Sequence, residues 1–393
     1  MDAANLLTRA RALTPLLEAA APRIEAACAL PEDVLTALHE ARVFRMLLPR
    51  SVGGLELDLV TFFRAVLALA EGDASAAWCV SQSSGCAFSA AYLAPEAARQ
   101  VFGDARSVVA WGFSTGPHCR AEPVPGGWKA SGTWGFGSGN RHASFLGLHC
   151  HVPSGGERTM LVPRGAVSIV PDSWRVVGLR GTGSDTYTVK DLFVPEALSL
   201  VARATGRDQQ LAASARPAPE PERREAGTLY RFAPTNVYQC GFAAVALGLA
   251  RGMLRSFIAL AMTKTPVGTT LALRNNNSIQ ARVAQSEARL SAVRAWLEEL
   301  LVEMWRACSA AGAVSFERRV QLRLASTHAI HEARAVTEDC YAGAGATAIF
   351  ESQPFERRMR DMHAASQQVQ ASAEHYLSAG QYFLGLDPPL RFL

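Results

Sequence analysis

The sequence has no two cysteines spaced as CxxC and no Cys/His group at metal-ligand spacing. Its eight cysteines are Cys28, Cys79, Cys86, Cys119, Cys150, Cys240, Cys308 and Cys340. Scattered in this way, they exclude a zinc motif or a disulfide framework and read as buried free thiols in a reducing, cytoplasmic setting. Charge is sparse: 19% of 393 residues, with a net +4 spread along the chain. That excludes the basic patch a nucleic-acid partner needs. Hydrophobic residues make up 49%, so a large core can form and disorder is not the default. No apolar run of membrane length is free of charge. The Ala-rich stretch 242–262 is interrupted by Arg251 and Arg255 and reads as a buried bundle helix, with no membrane partner expected. The opening residues MDAANLLTRARALTPLL carry Asp2, Arg9 and Arg11 without a cleavage site, so no signal peptide is expected. The glycine strings GLRGTGSD (178–185) and YAGAGA (341–346) lack a strand–turn–helix context, which excludes a Rossmann dinucleotide site.

What is present falls into three stretches. Residues 1–105 carry helical periodicity, with Leu6, Leu7, Ala10, Leu13 and Leu17 at threes and fours. One helix is expected over 30–49, and others over 58–72 and 74–93, the last capped by Asp73. Over 106–200 the pattern changes to short segments rich in Val, Trp, Thr and Phe, split by Gly and Pro. This predicts an antiparallel β domain with a hairpin turn at Gly126-Gly127. Residues 201–228 are rich in Pro and charge and read as a mobile loop. From 229 to 393 the period is helical again, over 236–263, 276–311, 314–343 and 354–384, which predicts a four-helix bundle. Gly241, Ala244, Gly248 and Gly252 line one face of its first helix and permit close helix contact.

Two strands carry an aromatic–Gly–Phe stretch followed by a serine. One is Trp111 to Ser114; the other runs through Trp134 and Phe136 to Ser138. Aromatic faces pack on a flat heterocycle, and hydroxyls bond its polar edge. These segments, together with LPEDVLTALHEARVFRMLLPRSVGG, AAWCV, SGTWGFGSGNRHASF, GLRGTGSDTYTVKDLFVP and FERRMRDMHAASQQ, resemble the acyl-CoA dehydrogenase superfamily over nearly the whole chain. The closer likeness is to its two-component flavin monooxygenase branch. The resemblance implies a mainly helical chain with a central antiparallel β domain and a C-terminal four-helix bundle, assembled as a homotetramer. It implies reduced flavin (FMN or FAD) from a separate reductase, which reacts with O2 to a flavin hydroperoxide that oxygenates a small-molecule substrate.

The same resemblance supplies the candidate site. Ser138 matches the branch's SG serine and would donate to the hydroperoxide. Trp78, Trp111, Ser114, Trp134, Phe136, Arg282 and Asp361 are candidates for holding the cofactor, and His142 for assisting. No metal is expected. Many dehydrogenases of the superfamily place a proton-abstracting glutamate where Val369 stands here, and others carry their base on an earlier helix; valine accepts no proton. Oxygenases of the branch carry RDxHxxxxH; this chain keeps Arg360, Asp361 and His363 but has Gln368 at the second histidine. Either His363 is the base, or the substrate needs no deprotonation. Two other readings stand beside the oxygenase: an acyl-CoA dehydrogenase-like flavin dehydrogenase or oxidase, and a flavin-binding or assembly protein without turnover.

Overall fold

The computed structural model describes residues 2–201 and 223–386. Five helices come first: α1 (Ala3–Ala27), α2 (Glu32–Glu40), α3 (Leu59–Gly72), α4 (Ala74–Ala87) and α5 (Pro95–Phe102). Asp73 caps α4, accepting from Ala76 N at 2.8 Å, as the sequence suggested. The helix expected over 30–49 ends early, at Glu40. Arg42 takes a left-handed backbone (φ +63°), and backbone bonds from Leu55, Glu56 and Leu57 to Arg45, Leu48 and Met46 replace helical pairing. The Arg45 guanidinium, 6% exposed, bonds the carbonyls of Phe102 and Val52 and fixes this turn.

Nine strands follow: β1 (Val109–Trp111), β2 (Phe113–Ser114), β3 (Arg120–Val124), β4 (Gly127–Gly135), β5 (Phe145–His151), β6 (Glu157–Pro163), β7 (Ser168–Ile169), β8 (Tyr187–Pro195) and β9 (Ser199–Val201). They form one sheet in the order β7-β8-β4-β3-β5-β6-β9, with β1 beside β5 and β2 beside β4. The β3–β4 hairpin turns at Gly126, as expected. Pairing is mainly antiparallel; β1–β5 and β3–β5 are parallel, so the sheet is mixed. Of the expected loop over 201–228, residues 202–222 lie outside the described residues. Just beyond them, Arg224 N donates to Ala91 C=O at 2.8 Å.

The C-terminal helices are α6 (Pro234–Thr263), α7 (Asn277–Ala311), α8 (Phe316–Ala344), α9 (Pro354–Ala365) and α10 (Glu374–Phe383). Of the four expected helices the last is broken in two. A single 3-10 turn, Val369–Ala371, separates α9 from α10. Among the described residues α6 alone is long and apolar enough to cross a membrane. Its apolar residues are used in packing: Val245, Leu249, Met253 and Phe257 belong to the main core, which joins α1, α3 and α4 to the C-terminal helices. A second core lies between the sheet, α5 and the end of α4.

Candidate active site

The site forms where four chain segments meet: α4, the turn after β4, the loop between β7 and β8, and α9. Strand β4 ends at Gly135, and Phe136 then adopts φ +58°. A bulky residue in that region is an outlier that points to a functional constraint. The turn closes with Ser138 N donating to Phe136 C=O at 2.8 Å. It leaves the Phe136 ring 63% exposed, edge-on to Trp174 with centroids 6.0 Å apart. Phe113, two residues after Trp111, is 67% exposed, and β2 pairs Phe113 with Gly135. Large aromatic rings seldom stand in solvent together without a partner.

Ser138 is 8% exposed, and its hydroxyl is engaged on two sides. Trp78 on α4 donates to it from Nε1 at 3.1 Å, and Ser184 Oγ lies 2.8 Å away. The Trp78 ring packs on Phe242 of α6 at 4.2 Å. Behind Ser184, Thr182 Oγ1 is at 2.7 Å and itself donates to Leu179 C=O at 2.8 Å. The loop is bolted down elsewhere as well. Gly139 N donates to Thr182 C=O at 2.9 Å. Arg141 holds Asp185 with two bonds, 2.7 and 2.9 Å, the bidentate geometry a guanidinium favours. Leu179 N donates to Asp361 Oδ1 at 2.6 Å, which ties the loop to α9. A Cβ at Gly178 would lie 2.1 Å from Arg360 C=O, so only glycine lets the loop approach that helix.

Asp361 is buried, and burial together with the neighbouring Asp73 carboxylate pushes its pKa up to about 7. The Leu179 N–H opposes this. Asp73 is raised too, chiefly by burial. His142 goes the other way: burial, then the charges of His39 and Arg164, lower it to about 4. It is therefore a neutral packing ring, 5.7 Å from Phe44, and not a base near neutrality.

The structure thus brings Trp78, Phe136, Ser138 and Asp361 into one network and leaves other candidates outside it. Trp134 is fully buried; it stacks on Tyr187 and donates to His149 C=O at 2.9 Å. Its ring belongs to the sheet core and presents no face to a cofactor. Trp111 packs across Gly147 and against His149, and Ser114 bonds Gly116 C=O within its own turn at 3.0 Å. Arg282 donates to Asp339 C=O at the seam of α7 and α8, and none of its contacts is with the Ser138 network. His363 Nε2 lies 3.3 Å from Glu338. Gln368 accepts from Gln370 N at 2.9 Å, while its Nε2 is buried without a hydrogen-bond partner. Sequence reasoning passed over Thr182 and Ser184. The signal was present in GTGSD as two hydroxyls two residues apart, hidden by the attention its glycines attract. Among the described residues no group of His, Cys, Asp or Glu is arranged to hold a metal ion.

Residues 240–373 match the family model described as acyl-CoA dehydrogenase, C-terminal domain. The chain is 29% identical over 363 residues to an indole-3-acetate monooxygenase of Pseudomonas putida, covering 91% of this chain and 88% of that one. It is 28% identical to the flavin-dependent monooxygenase oxygenase subunit HsaA of Rhodococcus jostii strain RHA1, covering 91% and 92%. Among solved structures, the 3-HSA hydroxylase from Rhodococcus sp. RHA1 superposes with a TM-score of 0.86 at 26% identity, covering 99% of both chains.

Proposed function

From the premise that this chain is a flavin-dependent oxidoreductase with the acyl-CoA dehydrogenase fold, we propose that it is the oxygenase component of a two-component monooxygenase. A separate reductase supplies reduced flavin, FMN or FAD. One atom of O2 enters a small aromatic or heteroatom-bearing substrate, and the other leaves as water. The two electrons come from the flavin, which departs oxidised.

The observation that carries this reading is the exposed Phe136 ring, held in a strained backbone two residues before the buried Ser138 hydroxyl. That arrangement fits a flat heterocycle with one apolar face and one polar edge. Bound reduced flavin would supply the electrons that activate oxygen. Phe136 and Trp174 would pack on the ring system, and Ser138 would bond its edge. Trp78 and Phe242 close the site from the helical side and keep water from it. Gln368 Nε2, a buried donor with no partner, could orient a polar group that reaches the turn between α9 and α10. Glu338 beside His363 would orient that ring as a base for a phenol, while a neutral nucleophile such as an indole, an amine or a sulfide would need none. Val369 leaves no proton-abstracting carboxylate at that position, which counts against a dehydrogenase. The chain would assemble as a homotetramer through its C-terminal helices.

Oxygen uptake tests the division of labour. The purified chain with FMN or FAD, NADH and substrate should consume no oxygen, and adding an unrelated flavin reductase should start consumption that yields oxygenated substrate, where reductase and flavin without the chain give only hydrogen peroxide. Oxidation of NADH by the chain alone would refute it, and reduction of bound flavin by an acyl-CoA thioester would establish the dehydrogenase instead.

A further inference from the structure

A hydroxyl has one proton, and the protons behind Ser138 can be counted. Thr182 Oγ1 lies 2.8 Å from Leu179 C=O. A carbonyl cannot donate, so Thr182 gives its proton there. Ser184 Oγ, 2.7 Å from Thr182 Oγ1, must then donate to it. Ser138 Oγ, 2.8 Å from Ser184 Oγ, must in turn donate to Ser184. The other neighbour of Ser138, Trp78 Nε1, has only a proton to offer. Reversing the chain keeps two of its three bonds and loses the one to Leu179. That carbonyl also takes Thr182 N–H at a longer 3.2 Å. Leu179 is anchored through its own N–H to Asp361, and its carbonyl is held in place by the Thr182 N–H. Thr182 and Ser184 are each 2% exposed, which leaves water little access to replace a lost partner.

We propose that Thr182 and Ser184 are positioning residues that draw the Ser138 proton inward, so that Ser138 meets the flavin as a hydrogen-bond acceptor and selects the reduced form. This rests on the flavin reading above. Reduced flavin carries an N–H on its central ring where oxidised flavin has a bare lone pair. An acceptor serine bonds the first and opposes the second. The polarity is the reverse of the donor role that the motif alone suggests for Ser138. It gives the enzyme a physical reason to take up reduced flavin and release oxidised flavin.

The test is anaerobic titration of the full chain with FMN and FAD, each reduced and oxidised. Wild type should bind the reduced forms more tightly. Ser184→Ala removes the acceptor of the Ser138 proton and frees it to point at the flavin. The reduced-over-oxidised preference should then fall about tenfold, the worth of roughly one hydrogen bond, with oxidised flavin bound more tightly than before. Thr182→Val frees the Ser184 proton to turn back to Ser138 and should shift the preference the same way; it serves if Ser184→Ala fails to fold. Ser184→Thr keeps the hydroxyl and should keep the preference. A purely structural role would weaken both redox forms alike, so an unchanged preference in the folded variants overturns the proposal. Equal binding of both forms by wild type overturns it as well. Binding of neither form by wild type would overturn the flavin reading itself.

Discussion

At the scale of single residues, backbone strain and buried charge mark the site more sharply than residue type does. Phe136 at φ +58° carries the penalty of a left-handed L-residue, roughly 1–2 kcal/mol. Glycine removes that strain but adds unfolded-state entropy worth about 0.5–1 kcal/mol. The exposed ring buries little to offset either effect. Phe136→Gly should therefore leave stability unchanged or raise it by up to about 1 kcal/mol in urea unfolding, while reduced-flavin affinity falls. A clear loss of stability would mean that the ring serves the fold. Asp361 gives a pH test. Its pKa is raised to about 7 by burial and by Asp73, so between the ordinary carboxylate range near 4 and pH 7 the folded chain binds more protons than the unfolded one. Stability should fall as pH rises through that window and level off above it. Asp361→Asn keeps an acceptor for Leu179 N and should make the slope shallower in denaturant titrations run at several pH values. An identical slope in the variant would assign the titration to another group.

At the scale of elements, helix contact and helix breakage both depend on partners far away in sequence. A Cβ at Gly248 would meet Leu67 C=O at 2.2 Å and Ala70 Cβ at 2.6 Å, so α6 and α3 touch there. Gly248→Ala should cost roughly 1–3 kcal/mol from overpacking, which exceeds the gain of about 1 kcal/mol in helix propensity. Gly380 in α10 has open space around it, so Gly380→Ala should gain up to about 1 kcal/mol. Thermal unfolding of the pair checks the contrast, and shifts of the same sign would contradict it. The stripe Gly241, Ala244, Gly248 and Gly252 was legible because small residues at threes and fours have few other uses. The β domain was legible as a run of short segments because Gly and Pro punctuate it, but the separate strands β1 and β2 and the final strand β9 were not. The break between α9 and α10 was not, because residues 354–379 hold no glycine and no proline after Pro354. What breaks the helix is tertiary: His375 bonds Val369 C=O at 2.7 Å, Thr327 bonds Gln370 C=O at 3.0 Å, and His331 bonds Ala371 C=O at 2.9 Å. The Arg323 guanidinium reaches Gln370 Oε1 as well. In the same way the aromatic–Gly–Phe–Ser pattern located Phe136 and Ser138, but pattern alone could not separate the exposed Phe136 from the buried Trp134 two residues earlier. Nor could it foresee Asp73 beside Asp361, residues that only the packed fold brings together.

At the scale of the whole molecule, the C-terminal end carries apolar side chains that one chain leaves bare. Ile349, Phe350, Leu377, Phe383 and Leu384 are all more than half exposed, apolar surface that a partner chain could cover. If these residues join the bundle faces in the proposed homotetramer, light scattering at micromolar concentration should give four times the chain mass, and Phe350→Glu with Leu384→Glu should lower it. A monomer in wild type would contradict the assembly. The central claim is the transfer of one oxygen atom from O2 to an organic substrate, and mass spectrometry under 18O2 tests it most directly. The chain is supplied with chemically reduced FMN or FAD, and a panel of small indoles, phenols, amines and sulfides is offered. The expected result is a product from at least one compound that is heavier by a single 18O atom. Complete conversion of bound reduced flavin and O2 to hydrogen peroxide, with no labelled product from any of the four classes, would contradict it.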